Sequence, residues 1–139
     1  MKTINFKLTI LTLLVSVIVL FSSCSTKTLF LSSAVVPAAR GTVEVKKDFN
    51  QNYVIKISIY DLAGSDRLTP PKNTYVVWLE TSDSRMKNIG QINTSNSLEA
   101  EFETVSAFRP SKIMISAEDE ANVSYPSYTN VVLRTDYLR

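Results

Sequence analysis

The chain has 139 residues, with fifteen Lys and Arg against thirteen Asp and Glu, one cysteine and no histidine. Without histidine, Ser-His-Asp and Cys-His catalysis and histidine-ligated zinc are excluded. A single cysteine excludes an internal disulfide. Two of the basic residues lie in an N-terminal apolar segment, so the remainder is close to neutral and has no basic stripe that would bind nucleic acid.

The N-terminal residues 1–23 have the pattern of a secretory signal. Two lysines precede an almost unbroken apolar run over residues 8–21, and the small residues Ser22 and Ser23 follow. A positive start, an apolar segment of roughly 7–15 residues and a small-residue cleavage site define such a signal. A membrane-spanning helix needs about 20 apolar residues. The pattern predicts a signal helix that is cleaved between Ser23 and Cys24.

The window Leu20-Phe21-Ser22-Ser23-Cys24 resembles the lipobox of bacterial lipoproteins, with phenylalanine where leucine is commoner. The resemblance implies that the sulfur of Cys24 receives a diacylglycerol; the alternative is a free cysteine that merely follows the signal. Two or three acyl chains on one cysteine give lasting attachment, because stable anchoring requires more than one chain. No aspartate directly follows Cys24, which by similarity to lipoprotein sorting rules predicts the periplasmic face of the outer membrane.

Residues 24–40 are predicted to be the lipidated cysteine and a flexible tether. Serines are frequent in this segment, and Pro37 resists continuation of a helix. The apolar residues 29–31 and 35–36 leave two possibilities open: they pack on the domain as a first strand, or they lie near the lipid surface.

Residues 41–139 are predicted to form one domain. Ile55, Ile57 and Ile59 alternate with other residues, as is typical of a half-buried strand. Short strands separated by polar turns are predicted at residues 42–47, 53–60, 74–80, 88–93, 98–103, 112–118 and 130–135. About seven strands at this spacing predict an all-β, immunoglobulin-like antiparallel β-sandwich.

Five short segments of the chain carry a resemblance through the order in which they occur. They are Pro70-Pro71, Tyr75 to Leu79, Asn88 to Ile92, Ile115 to Glu118 and Tyr125 to Ser127. In this order they resemble the extracytoplasmic C-terminal domain of anti-sigma-K factors, which implies a β-sandwich. Sigma-factor binding is not carried over, because in that family it belongs to a cytoplasmic helical part, often with a His/Cys zinc motif, and this chain has no residues that match it.

Two groups of carboxylates each allow a chemical and a structural interpretation. Glu99, Glu101 and Glu103 share one strand face. They are either the catalytic carboxylates of a glycoside-type hydrolase or the solvated face of an edge strand, and their regular alternation favours the edge strand. The residues at 118–120 are all acidic and offer oxygen ligands to calcium. They match no EF-hand spacing, which favours an acidic loop, and no metal site or cofactor is predicted.

Aromatic residues supply the remaining candidates. Tyr75 and Trp78 form either a ligand platform or a buried aromatic pair, and their apolar neighbours favour the buried pair. Tyr125 and Tyr128 lie in a Tyr-Pro-Ser-Tyr segment that is typical of an exposed loop. Because tyrosine is enriched at protein interfaces, these two are the predicted interaction residues.

Together these features predict a lipid-anchored, non-enzymatic protein of the bacterial cell envelope. Its partners would be the membrane, through the lipid anchor, and an unidentified envelope protein or cell-wall polymer, but not nucleic acid. Two alternatives are an accessory or sensor-type domain in envelope stress or anti-sigma signalling, and a carboxylate-dependent hydrolase.

Overall fold

The computed structural model describes residues 25–94 and 98–138, and these form two four-stranded antiparallel sheets packed as a sandwich. The strands are β1 (Thr26–Leu29), β2 (Arg40–Lys47), β3 (Tyr53–Tyr60), β4 (Thr74–Glu80), β5 (Met86–Ile92), β6 (Ala100–Ser106), β7 (Lys112–Glu118) and β8 (Val131–Arg134). The all-β sandwich prediction is confirmed, with eight strands among the described residues. The predicted signal helix lies outside the described residues.

The first sheet has the strand order β1-β2-β3-β6. Ile55, Ile57 and Ile59 of β3 are buried against the second sheet, as their alternation predicts. The side chains between them face solvent or lie partly covered, because successive residues of a strand point to opposite faces.

The second sheet has the order β5-β4-β7-β8, so β4 and β7 are its central strands. Residues 74–79 of β4 are all buried, which agrees with the dense apolar sequence there. Tyr75, Val77 and Leu79 join the core between the sheets. Val76 and Trp78 lie on the opposite face, in a separate apolar cluster with Met114.

The prediction that Tyr75 and Trp78 are buried is confirmed, but the prediction that they contact each other as a pair is wrong. Both side chains are fully buried, but Tyr75 belongs to the core between the sheets and Trp78 to the outer cluster. The physical reason is the two-residue period of a strand, which places positions an odd number apart on opposite faces. A shared ligand platform is excluded for the same reason.

Residues 25–40, the described part of the predicted tether 24–40, follow the alternative in which the segment packs on the domain as a first strand. Thr26 to Leu29 pair with β2 along the whole of β1, Thr26 opposite Val45. Farther along, Val36 and Ala39 are buried in the core. Burial of apolar side chains and ladder hydrogen bonds hold this segment, so the domain begins before residue 41.

Contacts between strands of different sheets close the two sides of the sandwich. On one side, β1 leads into a bridge between Phe30 and Thr135. On the other side, Gly90 of β5 has a φ of +143°, and a Cβ atom there would lie 2.7 Å from the ring of Phe102 on β6. Glycine is therefore required at position 90 both for the backbone conformation and for the close approach of that ring.

The buried hydroxyl of Tyr75 gives the fold a pH dependence at alkaline pH. It donates a 2.7 Å hydrogen bond to the carbonyl oxygen of Ala63. Burial, and to a lesser extent the charge of Asp66, raises the pKa of Tyr75 from 10.0 to about 12. The folded protein therefore holds the phenol proton more tightly than the unfolded chain does. This contributes stability that is fully present below the unfolded pKa and is lost as pH rises through the folded pKa.

We therefore expect the free energy of unfolding of the native protein to fall, relative to that of a Tyr75→Phe variant, between pH 10 and about 12. Urea unfolding of both proteins across this range measures the difference, and the variant cancels the contributions of the other tyrosines and of the lysines. Parallel curves for the two proteins would contradict the expectation.

Candidate interaction surface

The longest excursion from the second sheet is the segment 119–130, here named the tyrosine loop, which joins β7 to β8. It runs across the outer face of the sheet, where the side-chain amide of Asn88 on β5 donates to the carbonyl oxygens of Ala121 at 2.8 Å and Val123 at 3.1 Å. Val123 packs on the outer cluster that contains Trp78. The loop therefore covers the apolar outer face of the sheet.

A buried carboxylate at the end of β7 fixes the return of this loop. The Glu118 side chain accepts hydrogen bonds from the Ser127 backbone N–H at 2.8 Å and the Ser127 hydroxyl at 2.7 Å. The Ser116 hydroxyl donates to the same carboxylate at 2.5 Å. That hydroxyl in turn accepts from the indole N–H of Trp78 at 2.8 Å. Hydrogen bonds to a charged acceptor are stronger than neutral ones, so this network clamps the loop to the sheet.

The acidic residues at 118–120 do not converge on one point. Glu118 is buried in the network just described, and the Asp119 side chain pairs with the ammonium of Lys72 at 2.7 Å. No group of three or more His, Cys, Asp and Glu side chains with the geometry of a metal site occurs among residues 25–94 and 98–138. The first two carboxylates are thus engaged in holding the loop.

Tyr125 and Tyr128, the predicted interaction residues, lie on the tyrosine loop and are 80% and 71% exposed. Pro126 between them is buried, and Ser127 is hydrogen-bonded to Glu118. The buried neighbours fix the backbone, and the two phenol rings extend into solvent. This geometry presents two large amphipathic side chains from a fixed support, which is a common design of protein-binding loops.

The acidic side chains of β6 lie where alternation predicts them. Glu101 and Glu103 are exposed on the outer face of the first sheet, whose edge is β6. Glu103 pairs with Lys56 on the neighbouring strand at 3.1 Å. Glu99 precedes the strand. Charged residues on an edge strand oppose pairing with another chain, so the solvated edge that the pattern favours is the arrangement found.

A second surface, which sequence reasoning missed, lies at one end of the sandwich and is here named the basic–aromatic end. It consists of the β2–β3 turn at residues 48–52 and the β6–β7 loop at residues 107–111. The two are neighbours because Lys47 pairs with Tyr53 and Tyr53 with Ser106. A phenylalanine in the otherwise polar turn Asp48-Phe49-Asn50-Gln51-Asn52 is the only sequence signal for this surface.

Apolar rings at the basic–aromatic end are exposed although the core is close by. Phe49 is fully exposed at the tip of its turn, and Phe108 is 48% exposed. The turn is held by the Asp48 carboxylate, which accepts from the backbone N–H groups of Asn50 at 2.8 Å and Asn52 at 2.9 Å. In this conformation the Phe49 ring lies in solvent and not in the core.

Lysine side chains lie next to aromatic rings at the basic–aromatic end. The Lys47 ammonium lies 5.4 Å from the ring centroid of Tyr53, and that of Lys87 lies 5.0 Å from the ring centroid of Phe108. Neither lysine takes part in an ion pair within the part of the chain that the structure describes. Arg109 is exposed in the same loop as Phe108. Cations next to aromatic rings in this way remain available to an external anion.

The predicted cleavage and lipidation residues, Ser23 and Cys24, lie outside the described residues. Ser25, directly before β1, is the first described residue. Among residues 25–94 and 98–138, no helix has the length and apolar character required to cross a bilayer.

No protein-family model, no curated protein and no solved structure matches the chain.

Proposed function

We propose that the chain is a lipid-anchored, non-enzymatic protein of the bacterial cell envelope that binds an envelope protein or a cell-wall polymer through the tyrosine loop. Cys24 provides the acyl anchor, and the sandwich is the cargo that the anchor holds at the membrane. The periplasmic face of the outer membrane is the proposed location. The observation that carries the binding role is the exposure of Tyr125 and Tyr128 on a loop whose backbone is clamped.

The clamp supports binding for an energetic reason. Association costs the entropy of ordering flexible loops, and a loop that is already fixed avoids most of that cost. The Ser127 backbone is held by Glu118, and Asn88 holds the loop at Ala121 and Val123. Each tyrosine has only two side-chain torsions to order and brings a large contact area.

The hydrolase alternative has less support. Its candidate carboxylates Glu101 and Glu103 stand on an open sheet face, and Glu103 pairs with Lys56. A glycoside hydrolase needs two carboxyl groups on either side of the bond that is cleaved. Side chains that stand together on one solvated strand face do not meet that requirement.

The signalling alternative draws on the resemblance to anti-sigma-K factors. Four of the five resembling pieces fall on β4, β5, β7 and the tyrosine loop, that is, on the second sheet and its cover. Most of the side chains of the β4 and β7 pieces are buried and determine packing. The resemblance thus concerns residues that specify a fold, and a shared fold does not carry a shared function.

Replacement of Tyr125 and Tyr128 by alanine is expected to weaken partner binding by about tenfold or more, because truncation of interface tyrosines costs on the order of 1–2 kcal/mol each. A photo-crosslinking group is placed at position 125 or at position 128 of the protein in its native envelope, and the crosslinked partner is captured. The affinity of that partner for the native protein and for the variant then measures the loss of binding. Tyr137→Ala is the matched control, since Tyr137 is 65% exposed but lies outside the loop. Equal loss of binding in the control, or no crosslink from the loop positions, would contradict the proposal.

A further inference from the structure

The position of β1 constrains how the domain meets the membrane. Thr26 already pairs with Val45 in the first sheet, and only Ser25 separates it from Cys24. Two residues extend to at most about 7 Å, whereas a flexible tether over residues 24–40 would extend to roughly 55 Å. A lipid on Cys24 therefore holds this part of the sandwich close to the bilayer surface.

The end of the sandwich where β1 starts is the basic–aromatic end. Thr26 is opposite Val45, which lies two positions before Lys47, the last residue of β2 before the turn that carries Phe49. The same turn lies beside the β6–β7 loop that carries Phe108. The anchor point and both exposed rings are thus at one end of the first sheet.

The charge at this end is suited to an anionic surface. Lys47, Lys87 and Arg109 are unpaired with acidic side chains among the described residues. The acidic groups near this end have partners within the domain: Glu44 accepts from Lys46, which is the main cause of its lowered pKa, and Asp48 holds the turn. Glu80 pairs with Lys112 and Asp83 with Arg85, and Asp136 accepts from the backbone N–H of Tyr137. Basic residues next to a membrane are attracted by anionic headgroups.

We propose that the basic–aromatic end lies on the anionic lipid surface in which the acyl chains of Cys24 are embedded, with Phe49 and Phe108 inserted among the headgroups. This inference rests on the lipid anchor of the proposed function. Aromatic side chains favour the membrane–water interface, and lysine and arginine extend from it to the phosphates. The anchor supplies attachment, and this surface supplies orientation, which leaves the tyrosine loop free for a partner.

Tryptophan placed at position 49 tests the orientation. The mature protein, purified from the native envelope with its acyl chains, is reconstituted into phosphatidylcholine–phosphatidylglycerol vesicles with brominated acyl chains, which quench a nearby indole. We expect the added emission of Phe49→Trp to fall by about twofold or more, because the ring enters the interface. In Tyr60→Trp, at the other end of β3 and roughly 25 Å away along the strand, the added emission is expected to stay unchanged. Trp78 is buried in both variants and gives the same background.

The outcomes separate the anchor from the orientation. If the native protein does not float with the vesicles, the lipid anchor fails and this inference fails with it. If the protein floats but Phe49→Trp is not quenched, or Tyr60→Trp is quenched equally, the anchor stands and the orientation is overturned.

The lipid charge is tested in the same experiment. Vesicles of phosphatidylcholine alone should reduce the quenching of Phe49→Trp, because Lys47, Lys87 and Arg109 then lack an anionic partner. Quenching of the same size in both types of vesicle would overturn the assignment of an anionic surface.

Discussion

A Cys24→Ala variant is expected to incorporate no labelled fatty acid and to retain residues 1–23. Each buried methylene contributes about 0.8 kcal/mol to membrane attachment, so two acyl chains contribute on the order of 20 kcal/mol, an amount that no single surface contact replaces. Because Cys24 is the only cysteine, no second thiol is available to take the acyl group. Metabolic labelling with radioactive palmitate measures the first effect, and mass spectrometry of the N-terminus measures the second.

Ser25→Ala is the matched control for this variant. It changes the next residue and removes a hydrogen bond to Glu44, but it leaves the cysteine and the residues before it in place. Labelling should be as strong as in the native protein. Continued labelling of Cys24→Ala, or an unmodified Cys24 thiol in the native protein, would show that the lipobox interpretation is wrong.

The proposed anchor would lie close to the folded domain. Since β1 starts at Thr26, a lipid on Cys24 would lie next to the first hydrogen-bonded strand instead of on a long tether. The tyrosine loop connects β7 and β8 of the second sheet. The proposed membrane attachment and the proposed partner binding thus use different sheets of the same domain.

Regular patterns explain what could be predicted from the sequence. Ile55, Ile57 and Ile59 alternate with other residues, and the strand predicted at residues 53–60 has the same first and last residues as β3. The β4 strand is apolar throughout because both of its faces are covered. Tyr125 and Tyr128 flank a proline among polar neighbours, and both are exposed as predicted.

The failures have physical reasons as well. Residues Thr26 to Leu29 form a short edge strand with alternate intermediate and exposed positions, a pattern too weak to distinguish from a polar linker. The basic–aromatic end brings together Phe49 and Phe108 only because β6 pairs with β3. Pairing between distant strands is a property of topology, and local sequence does not state it. The network at Glu118 was missed for the same reason, because Ser127 reaches it only when the loop folds back.

One aromatic residue connects the second sheet to the loop that covers it. Trp78 is fully buried on its outer face, packs in the cluster with Val76 and Met114, and donates its indole N–H to Ser116. Ser116 then donates to Glu118, which holds the tyrosine loop. Packing and polar contacts of the loop therefore meet at this single side chain.

Trp78→Ala is expected to lower the free energy of unfolding by about 3–5 kcal/mol, because it removes a large buried side chain and leaves a cavity under the loop. Trp78→Phe keeps most of the packing but removes the N–H donor to Ser116, so a smaller loss of about 1–2 kcal/mol is expected. Tyr60→Ala, in which a partly exposed ring is truncated on the other sheet, should lose less than either. Urea unfolding followed by circular dichroism measures all three, since Trp78 is the only tryptophan and its fluorescence is lost with it.

Hydrogen exchange should also rise in residues 119–130 of Trp78→Ala before it rises in β3, because the loop loses its support while the core between the sheets is intact. Equal protection of the loop in the native protein and in this variant would mean that Trp78 does not support it.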